Sequence, residues 1–257
     1  MTKELLRAEK LVMAAGARTL CRNLDVAFEA GQLWGVLGCN GSGKTTLLHT
    51  LAGLAPAVSG RVIMGDRPLG AWSRRELACA LGILLQHEEQ ALWGSLADYV
   101  MLGRYARARS LLGPRAEDEQ ATADAIAAFE LTAIATQPFS TLSGGERQRA
   151  RLAQLWAQQP GLLLLDEPLQ HLDLRHQLRT LKQVREAVQS TERAAVMVIH
   201  DLAYATRCDR ILMLFGDGRH ATGSAAELLQ IDNLEALYGC RVRAFGNGAD
   251  AHFMPVI

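Results

Sequence analysis

The chain has 257 residues, of which 49% are hydrophobic, and its 27 Lys and Arg residues balance its 27 Asp and Glu residues. This length and apolar content are enough for a packed core, and α/β folds of this size can form one domain. The formal net charge of +0 removes any global electrostatic argument for nucleic-acid binding.

The cysteines and the apolar segments narrow the class of protein further. None of the five cysteines forms a C-x-x-C pair, and a scattered odd set is typical of reduced thiols in a cytosolic protein. The N-terminus lacks the apolar region of a signal peptide, and no apolar run reaches the length of a transmembrane helix. We therefore expect a soluble protein, or one attached to a membrane through a partner.

The first predicted elements are strands. Residues 5–12 and 24–28 alternate in part between apolar and polar side chains, which predicts two strands that pair antiparallel. Residues 33–37, Leu-Trp-Gly-Val-Leu, form a short apolar run that is typical of a buried strand.

A glycine-rich motif follows this third strand. The segment Gly38-Cys39-Asn40-Gly41-Ser42-Gly43-Lys44-Thr45 matches the phosphate-binding P-loop pattern G-x-x-x-x-G-K-[ST]. Its glycines allow backbone N–H groups to point at an anion, while Lys44 reaches the β- and γ-phosphates and Thr45 is placed for Mg²⁺. Residues 46–51 can continue as a helix whose N-terminus faces the phosphates, so the context supports the motif.

Further elements alternate between strands and helices. Alternation of this kind predicts a mainly parallel sheet with helices on both faces. The predicted elements are strands over 60–65 and 81–85, a mostly helical insert over about 88–159, a strand over 162–165, a helix over 175–189, strands over 194–199 and 211–215, and short helices over 225–230 and 233–238.

Two acidic residues end the apolar strand over 162–165. In this position after a P-loop, Asp166 would hold Mg²⁺ through water, as in a Walker B motif, and Glu167 would polarise the attacking water. The alternative is a pair of acids that only ends a strand, which is common for an isolated Asp-Glu.

The segment Leu142-Ser143-Gly144-Gly145-Glu146-Arg147-Gln148-Arg149 is the most discriminating part of the chain. Ser143 can cap the next helix, the two glycines allow close approach to backbone, and free N–H groups at a helix N-terminus bind phosphate. One chain would therefore carry two phosphate-facing surfaces. A head-to-tail dimer, in which each chain supplies one surface to a shared nucleotide, is the simplest arrangement.

Residues 142–149 resemble the signature sequence of ATP-binding cassette (ABC) transporter ATPases, and the resemblance spans nearly the whole chain. It implies an α/β fold with a RecA-like P-loop NTPase core, an antiparallel β subdomain and an inserted α-helical subdomain. It further implies one ATP-binding domain over 1–257, with the nucleotide-binding core at 1–87 and 160–257 and the helical signature subdomain at 88–159.

The resemblance assigns a role to each motif residue. It implies Gln86 as the glutamine that contacts Mg²⁺ and water, Leu172-Asp173 as the end of the D-loop, and His200 as the switch histidine that contacts the γ-phosphate. The implied catalytic residues are Glu167, His200 and Gln86, and the implied Mg²⁺ ligands are Thr45, Gln86 and Asp166. The implied nucleotide-binding residues are Gly38, Cys39, Asn40, Gly41, Ser42, Gly43, Lys44, Thr45, Thr46, Ser143, Gly144 and Gly145.

Residues 98–105 and the tail over 223–239 resemble cassettes that power import of iron–siderophore, haem or cobalamin. This resemblance implies an ATPase with ATP and Mg²⁺ as cofactors, a homodimer of cassettes, two transmembrane permease subunits and, indirectly, a substrate-binding protein. It places the protein at the cytoplasmic face of the inner membrane, held there by the permease. The cargo itself cannot be read from a cassette, which never touches it.

Three positions carry additional expectations. Residues 13–18 contain no aromatic that could stack on adenine, so the Arg18 guanidinium is a candidate instead. Cys39 is either a reactive thiol, favoured by the helix N-terminus and Lys44, or an inert small residue. Leu92 and Trp93 either contact the permease, with Ser95 close to that contact, or pack within the helical insert.

Two other classes of function stay open on sequence. A soluble ABC ATPase that acts on DNA or ribosomes usually needs a long coiled-coil insert, zinc cysteines or a second cassette, and none is present in this sequence. A small-molecule kinase or a GTPase would leave residues 143–145 unexplained, and the chain has no Asn-Lys-x-Asp guanine motif.

Overall fold

A computed structural model describes residues 3–86, 94–107, 113–190, 192–246 and 252–256. In chain order the strands are β1 (Glu4–Ala15), β2 (Arg18–Glu29), β3 (Leu33–Leu37), β4 (Ser59–Met64), β5 (Arg67–Pro68), β6 (Leu81–Leu84), β7 (Leu162–Leu165), β8 (Ala194–Val198), β9 (Arg210–Leu214), β10 (His220–Ser224), β11 (Val242–Phe245) and β12 (His252–Pro255). The helices are α1 (Lys44–Leu51), α2 (Arg74–Ala80), α3 (Leu96–Met101), α4 (Ala116–Ala128), α5 (Gly144–Gln158), α6 (Leu174–Ser190), α7 (Leu202–Ala205), α8 (Ala225–Leu228) and α9 (Ile231–Tyr238).

The central sheet has six strands in the order β10-β9-β3-β8-β7-β6. The five strands from β9 to β6 run parallel, and β10 pairs antiparallel with β9 at the edge. Strands β3, β7 and β8 are buried along their whole length, as expected for the apolar runs of a parallel sheet that is covered on both faces. Their carboxyl ends, with that of β6, meet at one edge of the sheet.

A second sheet packs on one face of the first. Strands β2, β1, β4 and β5 are hydrogen-bonded in that order and are antiparallel throughout. Because side chains alternate along a strand, Trp34 and Val36 of β3 pack towards this second sheet and α1, while Leu33 and Leu37 pack towards the helices on the other face. The expected helices therefore cover one face, and the antiparallel sheet supplies most of the cover on the other.

The segment between β6 and β7 is helical, as its composition predicts. Helices α3, α4 and α5 pack on one another, and Tyr99 stacks on Phe139 with ring centroids 4.1 Å apart. Arg104 Nε donates to Asp118 Oδ1 at 2.9 Å in a buried ion pair that joins the end of α3 to α4. Parts of this segment, 87–93 and 108–112, lie outside the described residues, so its bounds at 88 and 159 stay a prediction.

Several elements were not predicted from the sequence. Strand β2 begins at Arg18 rather than residue 24, and β10, α2, α7 and the hairpin β11–β12 were missed. The edge strand β10 reads His-Ala-Thr-Gly-Ser, which has too few apolar residues to show a strand pattern. None of the helices in the described ranges combines the length and apolarity needed to cross a bilayer.

Candidate functional site

The phosphate loop runs from the end of β3 to the start of α1 at the carboxyl edge of the central sheet. A side chain at Gly38 would bring a Cβ within 2.5 Å of the Leu214 carbonyl, so only glycine fits there. Gly43 has φ 105° and Gly41 has φ 74°, conformations that glycine adopts at low cost. The glycines of the predicted motif are therefore required by the path of this loop.

Lys44 lies within the curve of the loop. Its Nζ donates to the carbonyl of Gly38 at 2.8 Å and to the carbonyl of Cys39 at 3.0 Å. Burial lowers the pKa of this ammonium, while the neighbouring carboxylates of Asp166 and Glu167 act in the opposite direction. The side chain is only 7% exposed, so an anion held in the loop would meet a cation whose position is already fixed.

Asp166 follows β7 and is 2% exposed. Neither carboxylate oxygen has a hydrogen-bond partner at bonding distance in the described chain. Burial raises the pKa of this carboxyl, and the Thr45 hydroxyl and Lys44 partly offset that shift. A buried carboxylate without partners is costly, so this group fits a cation, and an aspartate beside a hydroxyl suits the oxygen ligands that Mg²⁺ prefers.

Glu167 and His200 come together although 33 residues separate them. Glu167 has φ 50° and a side chain that is 9% exposed, and His200 Nε2 donates to its Oε1 at 2.5 Å. Its other oxygen, Oε2, is buried and has no partner among the described residues. Glu167 therefore keeps one oxygen available to accept a proton or orient a water.

Lys44, Glu167 and His200 line one cleft of about 570 Å³, whereas the predicted Mg²⁺ ligand Asp166 is buried next to Glu167 and does not line it. Sequence reasoning missed three lining residues: Ala15 and Leu20 from the antiparallel sheet, and Gln170 three residues after Glu167. Predicted residues that line the cleft are Asn40, Gly41, Gly43, Lys44, Thr45, Thr46, Gln86, Glu167 and His200.

Other predicted residues lie outside the lining of this cleft. Gly38, Cys39 and Ser42 belong to the loop, with Ser42 buried and the Cys39 Sγ donating to the carbonyl of Leu237 at 3.3 Å. The expected role of Arg18 beside adenine gains no support, because its Nε donates to the Gly216 carbonyl at 2.9 Å and it does not line the cleft.

The residues Ser143, Gly144 and Gly145 start α5 and do not line the cleft of their own chain. Ser143 forms the expected cap: its Oγ accepts from the N–H of Glu146, and its own N–H donates to Glu146 Oε2 at 2.8 Å. The hydrogen bond from Ser143 lowers the pKa of the Glu146 carboxyl. No atom beyond its chain neighbours lies within 4 Å of a Cβ built at Gly144.

Helix α5 contacts the cleft through two side chains that the sequence did not single out. Gln148 Nε2 donates to the carbonyl of Pro168, next to Glu167, at 3.0 Å. Arg151 Nη2 donates to the carbonyl of Leu85, next to Gln86. The helix that begins with Ser143 is thus tied to the chain segments that carry two cleft residues.

The predicted contact at Leu92 and Trp93 lies outside the described residues. Ser95, two residues further on, is the N-cap of α3, where its Oγ accepts from the N–H of Asp98 at 3.2 Å. Its side chain therefore has a structural role of its own.

Comparisons with known proteins agree with this geometry. A family model described as ABC transporter matches residues 21–170. The hemin import ATP-binding protein HmuV of Streptomyces coelicolor is 40% identical over 243 residues, covering 94% of this chain and 85% of that protein. The ferric enterobactin transport ATP-binding protein FepC of Escherichia coli is 34% identical over 237 residues, covering 92% of this chain and 88% of that protein.

Among solved structures, a chain of an ABC transporter described as metal-chelate type, in an inward-facing conformation, superposes with a TM-score of 0.84. It is 26% identical and covers 99% of this chain and 98% of that one. Since the family model spans more than half of the chain and both sequence relatives align over more than nine-tenths of it, the chain belongs to the ABC transporter family and is one of its ATPases.

Proposed function

We propose that this protein is the ATP-hydrolysing subunit of a membrane importer for a metal chelate, with iron–siderophore or haem as cargo and cobalamin as the next candidate. The catalytic part of this proposal rests on the contact between Glu167 and His200. Next to it, Asp166 is buried and has no hydrogen bond at bonding distance in the described chain. The cargo class rests on relatives whose names specify hemin and ferric enterobactin.

The cleft residues take distinct roles in this proposal. Backbone N–H groups of the loop and the Lys44 ammonium hold the phosphates, with Ser42 shaping the loop from beneath. Thr45, Gln86 and Asp166 would hold Mg²⁺, which neutralises charge on the β- and γ-phosphates when bound. Within the described ranges no three His, Cys, Asp or Glu side chains cluster. In this proposal phosphate oxygens and water complete the coordination of Mg²⁺.

Glu167 acts on the water that attacks the γ-phosphate. Its carboxylate would accept the hydrogen bond that orients this water, and Glu167 lines the same cleft as Lys44 and Thr45. His200 holds Oε1 and so fixes the carboxylate, and its half-exposed ring can also reach the γ-phosphate. General-base catalysis of this kind contributes about 10²–10⁴-fold to the rate.

The proposed active form is a head-to-tail homodimer. Ser143, Gly144 and Gly145 lie at the start of a 15-residue helix and do not line the cleft of their own chain. In the dimer they would cover the γ-phosphate bound by the partner, since the free N–H groups of a helix N-terminus favour anions.

The proposed location is the cytoplasmic face of the inner membrane, where two permease subunits hold the dimer and receive cargo from a substrate-binding protein. Gln86 is the proposed link, because it lines the cleft while Arg151 of α5 holds the preceding residue. No role with nucleic acid is proposed; the runner-up, an ABC ATPase acting on DNA or ribosomes, has no supporting charge in this sequence.

Uptake by a strain that lacks this gene tests the proposal. Labelled haem, a ferric siderophore and cobalamin are supplied separately, and the strain is complemented with the wild-type chain or with Glu167→Gln. The proposal expects uptake of one metal chelate to depend on the wild-type chain and to fail with Glu167→Gln. Unchanged uptake of all three, together with co-purification of nucleic acid or ribosomes, would support the runner-up.

A further inference from the structure

Two exposed thiols lie where the phosphate loop meets the C-terminal end of α9. Cys39 and Cys240 are both free and exposed. Cys39 Sγ donates to the carbonyl of Leu237, in the last turn of α9, at 3.3 Å. This contact joins positions 198 residues apart and places the Cys39 thiol at the end of that helix.

The residues before and after Cys240 are both hydrogen-bonded to the same helix, α9. Gly239 turns the chain with φ 68°, and its N–H donates to the carbonyl of Glu235 at 2.8 Å. Val242 N–H donates to Glu235 Oε1, also at 2.8 Å. The backbone on either side of Cys240 is thus tied to one residue of α9, so this thiol cannot move far from the Cys39 contact.

Tyr238, the last residue of α9, lies near both thiols. Burial raises the pKa of its phenol to about 12, and Cys39 and Cys240 both lie close enough to add to that shift. A disulfide needs Cα atoms about 4.4–6.8 Å apart. Cys39 already touches Leu237, three residues before Cys240, so a disulfide would join two segments that are in contact.

The remaining cysteines differ from this pair. Cys21 and Cys208 are buried, and burial raises the pKa of their thiols to about 11 and about 12. Cys79 is half-buried and its Sγ donates to the carbonyl of Ala106 at 3.3 Å. A soluble oxidant reaches exposed thiols first, so Cys39 and Cys240 are the pair open to oxidation.

We propose that Cys39 and Cys240 are a reversible oxidation site, whose disulfide ties the phosphate loop to the end of α9 and lowers the affinity for ATP. The oxidant is a hydroperoxide such as hydrogen peroxide. The Cys39 sulfur attacks the peroxide, the O–O bond breaks, and a sulfenic acid and one water form. The Cys240 thiol then attacks the sulfenic sulfur, the S–S bond forms, and the hydroxyl leaves as a second water.

The effect on ATP follows from the backbone of Cys39. Its carbonyl is one of the two that hold Lys44 Nζ, at 3.0 Å. The next two residues, Asn40 and Gly41, line the nucleotide cleft. A covalent bond to α9 moves Cys39 away from its present contact, and the shift alters both the Lys44 position and the loop N–H groups. We expect ATP affinity to fall at least tenfold.

The test uses the purified full chain and a brief exposure to hydrogen peroxide. Peptides from a non-reducing digest are mapped by mass spectrometry, and ATP affinity is measured by equilibrium titration before exposure, after it, and after dithiothreitol. The expected result is a linked Cys39–Cys240 peptide, a tenfold or larger loss of affinity, and recovery with dithiothreitol. The matched variants are Cys240→Ser and Cys79→Ser.

Cys240→Ser should bind ATP normally before exposure and keep its affinity afterwards, because one oxygen on Cys39 does not tie the loop to α9. Cys79→Ser should behave like the wild type. Absence of the linked peptide would overturn the proposal. So would an equal loss of affinity in Cys240→Ser, or a linked protein that binds ATP as tightly as before.

Discussion

The cleft and the start of α5 both carry groups that suit a phosphate, but those of the cleft are buried and those of α5 are exposed. In the cleft, Lys44 and Asp166 are almost fully buried and fixed by the sheet edge around them. At the start of α5, Ser143 is exposed and Gly144 has open space where a side chain would lie. The proposed nucleotide site is therefore enclosed by its own chain, whereas the proposed phosphate surface at the start of α5 is left open by its own chain.

This difference indicates how folding and activity can be separated. Substitution of a buried cleft residue changes the energy of the folded chain and its chemistry together. Substitution at the exposed surface costs at most the cap of α5 and otherwise acts on the proposed assembly. The two regions remain connected, because Gln148 and Arg151 of α5 bond to the backbone beside Glu167 and Gln86.

The largest expected effect concerns the cleft. Glu167→Gln keeps the size of the side chain but removes the charge that orients the attacking water, so ATP hydrolysis should fall by about 10²–10⁴-fold. ATP binding, measured by equilibrium titration, should persist. Glu117→Gln, at an exposed position on α4, is the control and should hydrolyse ATP normally. Hydrolysis near the wild-type rate in Glu167→Gln would remove Glu167 from its proposed role.

The second prediction concerns the surface at the start of α5. Four serines, Ser73, Ser95, Ser143 and Ser224, form the same capping box, so Ser224→Arg is a matched control for Ser143→Arg. Both substitutions should cost about 1 kcal/mol of stability through the lost cap. Only Ser143→Arg should lower ATP hydrolysis, by about 10²-fold, because it blocks the shared phosphate site.

Stability by thermal unfolding and ATPase rates separate these two effects. Equal loss of activity in Ser143→Arg and Ser224→Arg would mean that the capping box, and not the phosphate surface, explains the loss. Gly144→Asp gives a second check, since a Cβ at Gly144 meets no atom within 4 Å outside the backbone of α5. The substitution should leave stability nearly unchanged while repelling phosphate.

The third prediction concerns Lys44. Lys44→Ala removes a cation held at 2.8 Å and 3.0 Å by two loop carbonyls. Hydrogen bonds to charged groups contribute about 1.5–3 kcal/mol, so ATP affinity should fall roughly 10–150-fold. Titration with ATP in the presence of Mg²⁺ measures this loss, and unchanged affinity would contradict the proposed contact between Lys44 and the phosphates.

The smallest expected effect is a gain in stability on substitution of Asp166. Asp166→Asn should stabilise the nucleotide-free chain by about 1–2 kcal/mol at neutral pH, because it removes a buried charge that has no hydrogen bond at bonding distance in the described chain. Burial raises the pKa of Asp166 above its ordinary value. The folded wild type therefore binds the proton more tightly than the unfolded chain, and its stability falls as pH rises through this window.

The gain in Asp166→Asn should accordingly be larger at pH 7.5 than at a pH below the ordinary Asp range, where Asp166 is protonated in both states. Urea unfolding at the two pH values measures the difference. An equal gain in stability at the two pH values would mean that the charge of the Asp166 carboxylate does not destabilise the folded chain.

Much of this site could be predicted because its motifs are local. The P-loop at 38–45, the acids after β7 and the Ser143 cap each depend on a short segment and its own backbone geometry. The Glu167–His200 hydrogen bond, the Gln148 and Arg151 contacts and the Cys39–Leu237 contact could not, since they join positions from 20 to 198 residues apart. Only the packing of the sheets and helices decides which of these distant residues meet.

The strands and cleft residues that the sequence did not predict also depend on distant partners. Strand β10 is a polar edge strand whose pairing with β9, and not its side-chain pattern, makes it a strand. The first half of β2 contains Arg18, Thr19 and Arg22, and it is ordered by its partner β1. Ala15 and Leu20 reach the cleft because the antiparallel sheet packs beside the phosphate loop. No local signal in the sequence gives that placement.

In the proposed dimer, two chains share each nucleotide site. The direct test mixes two Glu167→Gln proteins, one with Asn40→Cys in the cleft and one with Gly144→Cys at the start of α5. Both lack the accessible native thiols Cys39, Cys79 and Cys240.

A short bis-maleimide linker is added with and without ATP, and products are resolved by mass spectrometry. The account predicts an ATP-dependent covalent pair between the two different chains, formed through positions 40 and 144. It predicts no such pair when Asn40→Cys is combined with a cysteine at exposed Gly113. Absence of the 40–144 link in ATP, or a link that forms within one chain, would contradict the shared site.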